Sequence, residues 1–433
     1  MSDSSNAEAA DPTESGAIPQ GPSDSSSDAY VPAGDGADEP DPVAVESGVV
    51  DATVDGARDA AMDAGPSPDD GAAVEDGRSA LEVGSTTDAG ATIDATTAPD
   101  STTVGADTDG ATEADTEPTL DCSADAGGSI GASGAPALLG CTGLYSDWSS
   151  RTISPDAVAY DPGIHLWSDG AVKTRFIALP AGSRIDTSDM DEWTFPVGTK
   201  IWKQFAFGGK SVETRYLFKR GNSDWVYTTY QWSADQTTAT ELTTGATDVG
   251  GTGYEIPYLD ECRTCHMGRL DFVLGFEAVA LSTSQASGLT MEALVASGWV
   301  TDAPGSPIVI PGDATTSAAL GWLHANCGTA CHNASNYALA GSTGFFMRLD
   351  VADLATVETT DTYTTGVSVP ATYVPPDGGT LTRIAPGDPA GSCVVFRAGY
   401  RDTDGEGIQM PPDDTHVVDA ADLAVVASWI TSL

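Results

Sequence analysis

Lys200-Ile-Trp-Lys-Gln-Phe-Ala-Phe207 alternates polar with apolar side chains, and Trp225-Val-Tyr-Thr-Thr-Tyr-Gln-Trp232 repeats that alternation less cleanly. A two-residue period puts successive side chains on opposite faces of an extended chain, so both stretches predict β-strands with one face in a core and one in water. Three more β-branched and aromatic runs flank them, at Thr174–Ala178, Trp193–Phe195 and Glu213–Phe218. Gly208-Gly209 and Gly221-Asn222 mark turns between runs. Residues 142–258 therefore read as a β-rich domain, a sandwich or small barrel. Within it Asp169, Lys173, Arg175, Glu213 and Arg215 lie among aromatics. They read as ion pairs across neighbouring strands, a scaffold, with a ligand-binding face as the alternative.

Beyond residue 259 the period changes. Asp313 is placed to cap a helix on which Leu320, Leu323 and Cys327 fall at i, i+3 and i+7. Asp419 is placed to cap a last helix with Leu423, Val426, Ile430 and Leu433 on one stripe beside Trp429. Residues 259–433 are thus expected to be mainly α-helical, broken by Gly/Pro-rich loops at 375–379 and 386–389.

In the other direction the composition collapses. Residues 1–120 hold 28 acidic residues against Arg58 and Arg78, a net charge near −26, with Tyr30 the sole aromatic. Too little apolar surface is present to offset the entropy of ordering, so 1–120 is expected to be a disordered acidic linker or stalk. The whole chain of 433 residues carries −46. That balance argues against a nucleic-acid partner, and no apolar run approaches bilayer length. Met1-Ser-Asp-Ser-Ser-Asn has no signal-peptide character. The acidic lead and the cysteine chemistry nonetheless point to export, to the periplasm or cell surface, with a signal sequence or lipid anchor outside the given N-terminus.

Seven cysteines leave one unpaired. Cys122 and Cys141 are spaced to close a disulfide loop, and Cys393 reads as a small buried hydrophobe. The other four carry chemistry. Cys262-Arg-Thr-Cys265-His266 is a C-x-x-C-H sequence. Two thiols at that spacing can add to the two vinyl groups of one haem, leaving the adjacent His as proximal ligand. Cys327-Gly-Thr-Ala-Cys331-His332 has one residue more between its cysteines, all three intervening residues being small. The competing readings are a redox-active thiol pair and a single zinc ion held by all four cysteines, neither of which uses the two histidines. Met410, in Gln409-Met-Pro-Pro412, is the candidate thioether ligand of the second haem. No equally clear sixth ligand exists for the first. Met267 sits beside the proximal His, and Met291, Met347, His324 and His416 remain as candidates.

With these residues in view, His165-Leu-Trp-Ser-Asp-Gly-Ala-Val-Lys-Thr-Arg175, Ala178-Leu-Pro-Ala-Gly182, Trp193–Lys203, Glu213-Thr-Arg215 and Trp225–Trp232 resemble a poorly characterised family of exported bacterial proteins. The resemblance spans about 143–433. In that family a β-rich region precedes cytochrome-c-like motifs, and the second motif reads Asn-Cys-x-x-Cys-His. Here Asn326 and His332 match with one residue inserted. The resemblance implies covalent haem c, two per chain, and export; it implies no substrate. The expected function is a dihaem c-type cytochrome in electron transfer, an electron carrier more than an enzyme. The alternatives are a haem-dependent oxidoreductase with one open haem, and a surface binding module with structural zinc. The haem-bearing region has six bases, all Arg. The expected redox partner therefore presents a basic or apolar docking face.

Overall fold

A computed structural model of the chain describes residues 120–123, 128–403 and 407–433. The expected disorder of 1–120 lies outside these residues, save for Leu120.

The β-rich region is built as expected in content. Strands β1 (Tyr145–Asp147) and β2 (Thr152–Ile153) form a small hairpin, and β9 (Thr244–Ala246) pairs with β10 (Ile256–Tyr258). The main sheet contains β3 (Val158–Asp161), β4 (Val172–Ala178), β5 (Lys200–Phe207), β6 (Lys210–Gly221), β7 (Asp224–Trp232), β8 (Ala239–Leu242) and β11 (Ser287–Gly288). Its order is β11-β3-β4-β5-β6-β7-β8, antiparallel throughout. Gly208 and Gly209, at φ +54° and +79°, close the β5–β6 hairpin in the left-handed turn conformation that matches strand twist.

This is one open meander, not two facing sheets or a closed barrel, because β8 and β11 form its two ends without pairing to each other. Trp193–Phe195 is not a strand of it. Thr194 makes only an isolated bridge to Asp186, and its neighbours Trp193 and Phe195 are buried in the core.

Neither sheet face is left to water. Trp202, Tyr216, Tyr230 and Trp232 pack against Leu139, Leu144 and Tyr145 of the preceding segment. The disulfide Cys122–Cys141, Cα atoms 5.4 Å apart, ties that segment down and is worth about 3 kcal/mol as loop-closure entropy. Ile177, Ile201 and Leu217, on the other face, share a core with Leu281, Leu294, Leu320 and Trp429. The expected polar-out alternation fails for this reason: both faces have apolar cover, so β7 is buried nearly end to end.

The helices are α1 (Cys262–His266), α2 (Ala278–Ser282), α3 (Met291–Ser297), α4 (Ala314–Leu323), α5 (Asp361–Gly366), α6 (Cys393–Ala398) and α7 (Ala420–Ser432). Asp313 caps α4 through Thr316 N at 2.8 Å, and Asp419 caps α7 through Asp422 N at 3.3 Å. On α7, Val426, Trp429 and Ile430 are buried while Leu433 is exposed. The region is helical only in part. Its Gly/Pro-rich connections run as irregular chain around short helices, which corrects the mainly α-helical expectation.

Candidate functional site

Cys262 and Cys265 lie one turn apart on α1, both half-buried. Burial pushes their thiols up, to about 11 and about 12. That is the opposite of the thiolate-favouring setting a redox-active pair requires. His266 Nδ1 donates to the Phe272 carbonyl at 2.5 Å. This fixes the tautomer and leaves Nε2 without a protein partner among the described residues. Burial, helped by the nearby Lys203 charge, holds the imidazole down at about 3, hence neutral and fit to ligate a metal. The accepting Phe272 sits at φ +61°, a conformation costly for a bulky residue. Asp271 holds it there through a buried ion pair to Lys219 at 2.6 Å.

The second motif reaches the same end by a different winding. After α4 the chain widens into a π-turn over His324–Gly328. Thr329 N donates to the His324 carbonyl, and His332 N to the Cys327 carbonyl, both at 2.8 Å and both spanning five residues. The wider turn absorbs the inserted residue. A Cβ on Gly328 would sit 2.3 Å from the Arg348 backbone nitrogen, so the motif needs glycine there. His332 Nδ1 then donates to the Phe345 carbonyl at 2.9 Å, again freeing Nε2. Burial lowers this imidazole too, and raises the thiols of Cys327 and Cys331.

Each motif lines its own cavity. The second, about 760 Å³ of empty space, has Cys327, Cys331, His332 and Met410 in its wall, together with Phe345 and Tyr373. Met410 is held from α6, its N–H donating to the Arg397 carbonyl at 2.9 Å. The first cavity encloses about 1380 Å³, part of it open to solvent, and is lined by Cys262, Cys265 and His266. Tyr227 lies against His266 with ring centroids 5.2 Å apart and planes tilted by 56°, and its buried hydroxyl has no hydrogen-bond partner among the described residues. Asn326, Cys331, Pro411 and Pro412 border both cavities. The segment just after the first motif touches the second, since a Cβ on Gly268 would lie 1.8 Å from the Ala330 carbonyl oxygen.

Among the described residues no group of three or more His, Cys, Asp or Glu side chains converges to hold a metal ion. The four cysteines are thus not gathered as one tetrahedral site. Of the sixth-ligand candidates for the first motif, none borders its cavity. Met347 lines the second cavity, and Met291 is in the core. His324 is fully buried between Glu277 and the Leu349 amide, and His416 pairs with Glu255 at 2.5 Å. Against protein-family models, curated proteins and solved structures the chain has no match.

The β-region charges are not simply a scaffold of cross-strand pairs. Lys173, Arg175 and Arg215 border the first cavity, as does Lys203, which sequence reading passed over. The signal for Lys203 was available: it faces Arg175 and Arg215 in register on the neighbouring strands. Asp169 does something else, accepting from the His416 and Val417 amides at 2.9–3.0 Å. Asn326 bonds the Trp167 amide at 2.6 Å and the His165 carbonyl at 3.1 Å. The loop from His165 to Gly170 therefore clamps both the second motif and the Met410 segment.

Proposed function

We propose that this chain is a dihaem c-type cytochrome that carries electrons outside the cytoplasm. One observation carries the reading. Two histidines, each directly after a cysteine pair, both spend Nδ1 on a backbone carbonyl, and each leaves Nε2 free beside a cavity its own cysteines line. That is the arrangement of metal-bound imidazoles. Zinc on four cysteines explains neither histidine. Cys262, Cys265 and His266 would hold one haem; Cys327, Cys331, His332 and Met410 the other. Bound there, haem c supplies reversible one-electron chemistry. The protein's part is to fix each imidazole's tautomer and to hold the Met410 segment from Arg397 and Asp169. The close approach of Gly268 to Ala330 supports electron passage between the two centres. The Cys122–Cys141 disulfide supports an oxidising, exported setting, periplasmic or cell-surface. The acidic balance favours a partner with a basic or apolar face.

A second reading, an oxidoreductase with one open haem, has a specific observation in its favour. No methionine, and no histidine besides His266, borders the first cavity among the described residues. Carbon monoxide binding to the reduced protein separates the two: one equivalent per chain for an open first centre, none for two six-coordinate centres. For the haem assignment itself, Cys265→Ala and Cys331→Ala are each expected to abolish one covalent attachment in a pyridine haemochrome assay. A variant that retains both haems would overturn the assignment of its motif.

A further inference from the structure

Arg175 is 95% buried from solvent and borders the first cavity, yet its five N–H donors make no hydrogen bond among the described residues. Its one carboxylate neighbour, Asp161, lies 3.9 Å away and is already engaged by His165 at 2.5 Å. Lys203 is the residue opposite Arg175 on β5, and Lys173 precedes Arg175 by two positions on β4, so all three share one sheet face. Neither lysine is within ion-pair distance of an acid: Lys203 Nζ donates to the Leu274 carbonyl at 2.7 Å, and Lys173 Nζ to that of Leu166. Like charges placed opposite one another on adjacent strands repel, and buried unpaired cations are costly.

The neighbouring charges relieve this only at Lys173, on which Glu213 acts. Arg215 is matched by Glu213 at 2.8 Å, and Glu213 is further satisfied by Tyr254 and by Thr229 at 2.6 Å. The acids that border the cavity are Glu261, Asp413 and Asp414, and of these Asp414 acts on Arg215. The second cavity shows the contrast with Arg175. Its two arginines are spent on backbone carbonyls, Arg383 on those of Thr343, Gly344 and Thr365, Arg397 on those of Gly407 and Ile408.

We propose that Lys173, Arg175 and Lys203 bind a small free anion, a carboxylate or inorganic oxyanion, in the first cavity. Its position beside a haem rests on the function proposed above; the charges themselves do not. A planar guanidinium flanked by two lysines suits an acceptor with several equivalent oxygens, whose charge would favour their protonated form.

The test titrates the mature protein with sulfate and with acetate by calorimetry, alongside the anion dependence of its melting temperature. Haem content is counted separately by haemochrome assay. Wild type is expected to bind one anion per chain and to melt higher as anion is added. Arg175→Gln and Lys173→Met are each expected to bind about tenfold to hundredfold more weakly, with haem content unchanged. Should one variant misfold, the other still decides. A wild type with two haems that binds no anion would overturn the proposal, since the haem carboxylates would then occupy these cations. Variants that bind as tightly as wild type would overturn it as well. A chain without haem would sink the cytochrome reading alone, because the same titration still reads the cations.

Discussion

The Asp271 carboxylate accepts three hydrogen bonds, from Trp225 Nε1 at 3.0 Å, Phe195 N at 2.6 Å and Lys219 Nζ at 2.6 Å. Lys219 is 1% exposed, so removing the acid leaves a buried ammonium without its counter-charge. Asp271→Ala is expected to cost about 3–5 kcal/mol by denaturant unfolding, with part of the loss recovered by adding Lys219→Met. An unchanged midpoint in Asp271→Ala would show that the pair does not hold the Phe272 carbonyl against His266. A second carboxylate carries a pH signature. Burial acts to raise Glu277, but His324, Arg269 and the Ala280 amide outweigh it and hold the acid at about 2. A depressed acid stabilises the fold above its unfolded value, near 4.5, and the contribution fades as pH falls toward 2. The stability gap between wild type and Glu277→Gln should be widest above pH 5 and shrink steadily on acidification. Met410→Ala should open its cavity to an added ligand such as imidazole and lower the potential of that centre. A wild-type potential and no new ligand binding in that variant would make Met410 a packing residue. At this scale spacing alone singled out the two Cys-Cys-His clusters, each of which lines a cavity. The carbonyls of Phe272 and Phe345 were not legible, because a backbone acceptor has no residue type to betray it.

The elements show where sequence reading stops. Strand and turn signals located β4 to β7 closely, since period-two alternation and paired glycines are local properties. Their assembly is non-local. A strand pattern does not say whether an aromatic-rich face meets another sheet, a helix or the preceding loop, and here it meets the last two. The extra residue of the second motif is absorbed by a π-turn, which no propensity announces. The loop from His165 to Gly170 is the least foreseeable element: it lies within the β-rich region, yet it holds the chain that follows Met410. Asp169→Ala removes the acceptor for two consecutive backbone amides, a loss of about 1–3 kcal/mol at that site. The expected result is weakened Met410 ligation at near-normal haem content, read as ligand binding by the second centre at lower concentrations than in wild type. Spectra and ligand affinity identical to wild type would mean the loop's grip is redundant.

For the molecule as a whole, charge is the dominant property. The chain carries −46, and all five lysines lie within residues 173–219. Electron exchange with a basic partner should therefore slow as salt rises, and with an acidic partner quicken. Deleting residues 1–120 should weaken both trends without altering the spectra, and stopped-flow rates across a salt series measure this. Identical salt responses for both partners would remove steering from the account. The central claim, however, is the cofactor count. Intact mass of the protein, produced with cytochrome c maturation machinery, reads it in one step. The expected result is a chain heavier by two haems, one lost in Cys265→Ala and the other in Cys331→Ala. A polypeptide mass with no covalent adduct, under conditions that load a control cytochrome c, would contradict it.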